Sequence, residues 1–416
     1  IEGLPGQGEG HGRRAGDEQP RHHRSQPDHP LAQHPAGQGQ VHQEQQHVSD
    51  ELFIGMFPGR SRRDVNAALV NIINGSMDVL HAISTPYPPA VRQTLEQVLA
   101  TGRRPDRDVS ALLDDNLGRF FARVAQYLVR EAGLEMRDVR AIGLQGQAVW
   151  QEPDAEPPMV VELANPTLIA KGTATAVVVN FRSADVESGG QGAPLAPLLH
   201  QHLFFCSTEN RAIVALGETA HLTILPAGGG LSAIECGPGN CLMDGWTKRH
   251  LHKDSDSAGN WASKSVVDPC LLQRLLDDDY FSLPAPGAIG LEYFNMDWLD
   301  RHLSGASLPP GTVQTTLAEL TAVSIANRLQ GTARPDRLLV CGPGAHNAFL
   351  MRRISAALPD TIVEPTTRHG ADPDWVDGLL FAWLAQQRLE QVTQDTRQIT
   401  GAGQPLMLGE VFAPPE

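Results

Sequence analysis

Residues 177–195 read VVVNFRSADVESGGQGAPL. A run of β-branched residues ends at Asn180-Phe181-Arg182; a carboxylate follows at Asp185, then Gly189-Gly190-Gln191-Gly192. A carboxylate just past a buried strand can take a proton from a bound water. Glycines beside it let the backbone come close to a ligand. Two readings are open at this level: a strand, loop and turn in which Asp185 is only a cap, or a ligand site at the rim of a sheet. Glycine turns recur at other strand ends, at Gly59, Gly217, Gly237-Pro238-Gly239 and Gly342-Pro343-Gly344. Such turns can present backbone N–H groups to phosphate. A single one is weak evidence, but four at strand ends point to a nucleotide cleft.

The elements that would position these residues follow from periodicity. Leu52–Gly55 reads as a strand, 58–61 as a turn and Val65–Ile73 as a return strand, which together make a hairpin. Residues 89–101 and 110–132 carry helical spacing, as in Leu112, Leu113, Leu117, Phe120, Phe121, Val124 and Leu128. Short strands are expected over 139–144 and 175–180. The pattern then restarts: a strand over 213–216, a tight turn at Gly217-Glu218-Thr219, a return strand over 221–225 and another over 234–236. Helices over 242–249, 315–328 and 375–389 and a strand over 338–341 complete it. Alternating strands and helices imply α/β layers. Two such lobes, 51–205 and 206–416, would face each other across a cleft holding the glycine loops. The last helix and tail are expected to pack back toward the first lobe.

The chain has 416 residues and a net charge of −15. That charge argues against a general nucleic-acid surface or an anionic membrane face. No run of about 18 apolar residues suggests a membrane span, and the first residues lack the apolar core of a signal peptide. The five cysteines are scattered without a CxxC pair. They read as reduced thiols of a cytoplasmic protein rather than a zinc site. Residues 1–50 are Gln, His, Gly, Pro and Arg with almost no branched apolar residue, and disorder is expected there. Seven of the sixteen histidines lie in this segment, at 11, 22, 23, 29, 34, 42 and 47. Metal capture by a His-rich tract is one reading, but the irregular spacing and the lack of a carboxylate cluster speak against it. The composition also looks like GC-rich coding sequence read in a shifted frame.

From residue 51 to 412 the chain resembles the anhydro-N-acetylmuramic acid kinases, members of the actin/hexokinase-like superfamily of two-lobed ATPases. The resemblance is carried by FRSADVESGGQGAPL (181–195), ALGETAHLTILP (215–226), GPGNCLMDGW (237–246) and CGPGAHNAFLM (341–351). GADPDWVDGLLFAWLA (370–385) and ITGAGQPLMLGEVF (399–412) add to it. It implies two actin/hexokinase-like (RNase H-like) α/β lobes around a cleft. It implies an enzyme of peptidoglycan recycling that opens the 1,6-anhydro ring of an amino sugar with water and phosphorylates the 6-oxygen from ATP with Mg2+, with a homodimer as a further expectation. By resemblance Asp185 matches the general base. Gln147, Gly190, Gln191, Gly192 and Glu292 match sugar-lining positions. Gly59, Ser61, Gly217, Gly237, Gly239, Asn240, Gly342, Gly344 and Asn347 match the nucleotide loops.

The departures fall on the nucleotide side. Where the family has Gly-Thr-Ser-x-Asp-Gly, this chain has Gly59-Arg60-Ser61-Arg62-Arg63-Asp64, so Arg63 replaces the aspartate that supports the magnesium–phosphate assembly and Asp64 replaces the glycine. Asp64 is then the candidate metal ligand, shifted by one residue. Pro58 lacks the N–H that a phosphate loop would donate. Glu218 brings a carboxylate to the second loop, Pro343 stands in the third, Gln145 replaces a histidine, and Gly287–Leu291 lacks two cations of the family pattern. Three functions follow: a working amino-sugar kinase, a non-catalytic relative that binds a sugar or protein partner, and a broken gene product. Impaired turnover is the expectation.

Overall fold

The computed structural model describes residues 51–59, 64–152, 159–283, 293–330, 332 and 334–415. The expectations for the first fifty residues, for Ser61 and the arginine turn, and for Gly287–Glu292 lie outside the described residues.

One sheet is built from β1 (Leu52–Pro58), β2 (Asp64–Ile73), β3 (Ser76–Pro86), β4 (Val139–Leu144), β7 (Ala176–Val179) and β13 (Glu410–Phe412). A separate hairpin, β5 (Gln147–Glu152) with β6 (Met159–Leu163), follows β4. The second sheet holds β8 (Arg211–Leu216), β9 (Thr219–Leu225), β10 (Ser232–Pro238), β11 (Arg337–Cys341) and β12 (Ile362–Pro365). The strand orders are β13-β7-β4-β1-β2-β3 and β10-β9-β8-β11-β12. Without β13 the two orders are the same: an antiparallel three-strand meander whose first strand is joined by two parallel strands. Both lobes therefore have the expected actin/hexokinase-like design.

The expected first hairpin is present as β1 and β2, with Leu52 opposite Asn71 and Pro58 opposite Val65. Sequence reading missed β3. Its signal is Asn74-Gly75, both with positive φ (51° and 81°), the pair that a two-residue hairpin turn requires. Asp185 lies in a short helix, Ser183–Glu187, rather than in a loop.

Strand alternation explains the layers. On β1, Leu52, Ile54 and Met56 pack with Leu113, Leu117 and Phe121 of the helix Arg107–Glu131. Phe53 and Phe57 face the other way. There they meet the helix Val376–Leu389, which is buried on nearly every side, as a helix apolar all round must be. The same cluster includes Ile213 and Leu339 of the second sheet, so this helix lies between the two sheets. It approaches the first sheet closely: a Cβ on Gly55 would overlap the Gly378 carbonyl, and one on Gly143 the Phe381 carbonyl. In the second lobe, the helix Pro310–Leu329 packs Leu317, Leu320 and Ile325 on Val214, Leu222 and Val340.

Candidate active site

A cavity of about 700 Å3 opens between the sheets. The first lobe lines it with Gly59, Gln145, Gln147, Glu162, Arg182 and Gln191; the second contributes Glu218, Thr219, His221 and Glu235. Asp377, Leu380 and Phe381 of the helix between the sheets form part of the wall.

Asp185 sits behind this wall and is fully buried. Its Oδ2 accepts from the Gly192 N–H at 2.7 Å, and its Oδ1 accepts from the hydroxyls of Thr396 at 2.5 Å and Thr400 at 2.7 Å. A Cβ on Gly190 would overlap the same carboxylate. Gly192 has φ +73°, which disfavours other residues. Asp185, Gly190 and Gly192 thus form one brace that shapes the turn, and Gln191 between them reaches the cavity. As placed, the carboxylate is buried and accepts three hydrogen bonds from the fold, whereas a general base needs a lone pair directed at the substrate's water.

Gln147 lines the cavity, but its amide is also engaged. Its Oε1 accepts from the Tyr87 hydroxyl at 3.0 Å and its Nε2 donates to the Ala148 carbonyl at 3.0 Å. Beside it are two groups that sequence reading did not single out. Glu162 projects from β6, and Arg182 stands where the strand before Asp185 ends; their Oε1 and Nε are 3.7 Å apart. Burial raises the Glu162 pKa, against the lowering effects of Arg182 and of a hydrogen bond from Gln145. The available signal was a lone glutamate in the apolar strand VVEL, at a position where an unpaired charge would be costly to bury.

On the other side the glycine loops close on one another. Gly239 and Cys241 donate their N–H groups to the Glu218 carbonyl at 2.9 and 3.2 Å, and Asn240 donates to the Gly217 carbonyl at 2.7 Å. The Asn240 side chain donates to the Leu216 carbonyl at 3.1 Å. A Cβ on Gly239 would overlap the Gly217 carbonyl, and one on Gly344 would crowd Leu216. Gly237, at φ +125°, faces Tyr280 and Phe281. Gly342 donates to the Pro373 carbonyl at 2.8 Å. Asn347 caps the helix Ala348–Ala357, accepting from the Leu350 N–H at 3.0 Å. Gly239 lets backbone meet backbone, Gly237 and Gly344 leave room for side chains, and several N–H groups expected to face phosphate are already used.

Charge also gathers here. Burial, and then Glu218, Asp256 and Asp254, push Asp244 up to about 7. The Cys241 thiol is pushed up to about 12 by burial and then by Glu218. Gly59 lines the cavity, and a Cβ on it would overlap the Asp64 carboxylate, so that carboxylate folds over the turn. Among the described residues no three His, Cys, Asp or Glu side chains converge on a metal position. No helix of the described residues is long and apolar enough to cross a membrane.

Comparison with known proteins adds an independent line. The family model for anhydro-N-acetylmuramic acid kinase matches residues 51–414. The anhydro-N-acetylmuramic acid kinase of Xanthomonas axonopodis pv. citri (strain 306) is 36% identical over 373 residues, 88% of this chain and 99% of that protein. The enzyme of the same name from Xanthomonas oryzae pv. oryzae (strain MAFF 311018) is also 36% identical, over 88% of this chain and 98% of its own length. A more distant likeness is the activator of 2-hydroxyisocaproyl-CoA dehydratase from Clostridium difficile with bound ADPNP, at 11% identity and a TM-score of 0.42, covering 83% of this chain and 99% of that one. With the family model spanning nearly all of the described chain and these relatives matching along their whole length, the chain belongs to the anhydro-N-acetylmuramic acid kinase family.

Proposed function

We propose that the chain is an ATP-dependent kinase of 1,6-anhydro-N-acetylmuramic acid with a weakened hold on nucleotide. In the proposed reaction water opens the anhydro ring and the freed 6-oxygen takes the γ-phosphoryl group. Family membership supports the reaction. A cavity of about 700 Å3 between the lobes is of a size that suits a small-molecule site. The observation that carries the weakened hold is the carboxylate pair Glu218 and Asp244 beside loops whose amides are already bonded. A unit charge about 5 Å from another costs roughly 3 kcal/mol at an effective dielectric near 20.

Magnesium fits this donor set. Mg2+ typically takes one or two carboxylates and fills its remaining positions with substrate phosphates and water. Glu218 and Asp244 are hard oxygen donors that raise each other's charge cost, and they would hold the ion. When bound, magnesium would neutralise charge on the phosphates. Asp64, over Gly59, is the other candidate ligand. For the proton of the attacking water the first-lobe candidate is Asp185, to which the family resemblance points.

A second reading, a non-catalytic sugar-binding relative, is favoured by the closed glycine loops and by the burial of Asp185 under three hydrogen bonds from the fold. Calorimetric titration with the anhydro sugar and with Mg·ATP, alongside an assay of sugar-dependent ADP release, separates the two. Sugar binding, weak Mg·ATP binding and slow release are expected. Sugar binding with no release would favour the second reading, and a chain that binds neither ligand would overturn both.

A further inference from the structure

A smaller cavity, of about 260 Å3, adjoins the main one. Trp150 and Arg182 line both, so the two spaces share a wall. Trp150 comes from β5, and Arg182 is the residue before the Ser183–Glu187 helix. Arg104, between the helices Pro89–Ala100 and Arg107–Glu131, adds a second guanidinium. It lies over the Trp150 ring, 5.7 Å from the centroid, and has no carboxylate partner among the described residues. Met159 and Val161 of β6 make one side apolar. Arg182 is held loosely from within the protein. Its Nε is 3.7 Å from the Glu162 Oε1, beyond hydrogen-bond range, and among the described residues its guanidinium makes no hydrogen bond. The buried Glu162 Oε1 also lacks a hydrogen-bond partner. Arg337 in the second lobe shows the satisfied case, a guanidinium bridging the carboxylates of Glu209 and Glu364. Arg182 has one carboxylate, at a distance, and an open space where a second would sit.

We propose that this side pocket reads the carboxylate on the lactyl ether of the muramic acid sugar, with Arg182 as the main contact and Arg104 as the second. This rests on the kinase reading above. The ether ends in a carboxylate beside a methyl group. The pocket has matching chemistry: a guanidinium fork for the two oxygens, and Trp150, Met159 and Val161 for the methyl group. The ring stays in the main cavity beside Gln147 and Gln191, and only the ether enters the smaller space. Glu162 is a positioning residue. Its nearest approach to Arg182 is at Nε, which leaves the two terminal nitrogens for the ligand. Glu187, exposed at the rim, opposes the ligand only weakly because solvent screens it. A sugar without the ether leaves Arg182 without its acceptor and forgoes a charge-assisted bond. The pocket therefore sets specificity, favouring 1,6-anhydro-N-acetylmuramic acid over 1,6-anhydro-N-acetylglucosamine.

The test is calorimetric titration of the full chain with each of these two sugars, alongside the assay of sugar-dependent ADP release. The parent should bind the muramic acid sugar about 10–100-fold more tightly than the glucosamine sugar. Arg182→Gln should remove most of that factor and leave binding of the glucosamine sugar nearly unchanged. Arg104→Gln, at an exposed position, should weaken the muramic acid sugar by about two- to fivefold and spare the other. Melting curves of both variants should stay within a few degrees of the parent. Equal weakening of both sugars by Arg182→Gln would overturn the proposal, because Arg182 would then hold the ring or the fold. Variants that bind like the parent would overturn it, as would a parent that does not distinguish the sugars. Loss in Arg182→Gln with none in Arg104→Gln would put the carboxylate in the main cavity and overturn the side pocket. In each of these cases ADP release by the parent leaves the kinase reading standing. A parent that binds neither sugar and releases no ADP would remove that reading and this proposal together.

Discussion

The two lobes share a strand order and treat charge in opposite ways. In the first, Glu162 faces Arg182 and Gln145, and Asp185 is enclosed by Gly192, Thr396 and Thr400. In the second, Asp244 is shifted by burial and by three further carboxylates, all acting in the same direction. The loops differ in parallel. The glycine turn at 190–192 wraps a side chain, whereas at Gly217 and Gly239 one backbone segment closes on another. A common topology thus positions a loop at each strand end without deciding whether that loop offers donors, a base or packing. That is settled locally, by one or two residues per turn.

The largest effect that would sharpen this contrast is expected at Asp185. Asp185→Ala leaves the Gly192 N–H and two threonine hydroxyls without their acceptor in a buried site. We expect a loss of roughly 3 kcal/mol or more, read from urea unfolding. Asp185→Asn should lose less stability but still melt lower than Glu162→Gln. If Asp185→Asn melts like the parent and loses turnover by about 10²–10⁴-fold, the carboxylate serves as the base and its contribution to the fold is small.

Packing glycines come next. Gly55→Ala places a methyl group against the Gly378 carbonyl and Gly143→Ala places one against the Phe381 carbonyl. Overpacking of this kind costs about 1–3 kcal/mol. Gly228→Ala meets nothing within 4 Å and is the control, expected to stay within about 0.5 kcal/mol of the parent. Equal stability of all three would show that the helix between the sheets can shift away from the first sheet.

These positions also show what could be read from the sequence and what could not. The first hairpin, the second meander, the long helices and the return of the pattern in the second half were legible, because apolar spacing reports which face is buried; the third strand of the first meander was not. The motif at 181–195 was legible as a site. Which of its residues faces the ligand was not, because that depends on Thr396 and Thr400, more than two hundred residues away in sequence. Glycines at strand ends read as phosphate loops, since spacing alone cannot tell an N–H open to a ligand from one bonded to a neighbouring turn. Glu162 was hidden by the apolar run around it. Arg182 was visible in the motif, but its partner was not.

The nucleotide side is probed by Glu218→Gln. Removing this charge should tighten metal-free ATP by roughly ten- to a hundredfold. Mg·ATP should gain less, because Mg2+ already offsets the phosphate charge. Calorimetry with and without magnesium measures both. If the variant instead weakens Mg·ATP and leaves free ATP unchanged, Glu218 acts chiefly as a metal ligand, and the weakened hold on nucleotide has another cause.

The smallest effect sets two buried titrating groups against each other. His200, buried in the cavity lining with its Nδ1 2.8 Å from the Thr223 hydroxyl, is pushed down by burial from 6.5 to about 3. Its folded pKa lies below the unfolded one, so its contribution to stability is present above pH 6.5 and is lost as pH falls toward 3. Asp244 moves the other way, from 3.8 to about 7. Its contribution is present below pH 3.8 and is lost as pH rises toward 7. Between roughly pH 4 and 6.5 the two slopes oppose each other, each at most about 1.4 kcal/mol per pH unit. The parent should gain little net slope from this pair. Asp244→Asn should uncover the histidine slope, so that stability falls from pH 6.5 to 4.5 more steeply than in the parent. His200→Gln should uncover the opposite one. Urea unfolding of the three proteins at those two pH values checks the signs. If Asp244→Asn leaves the parent's pH dependence unchanged, the carboxylates around Asp244 are neutralised in solution, and the electrostatic difference between the lobes is smaller than the geometry implies.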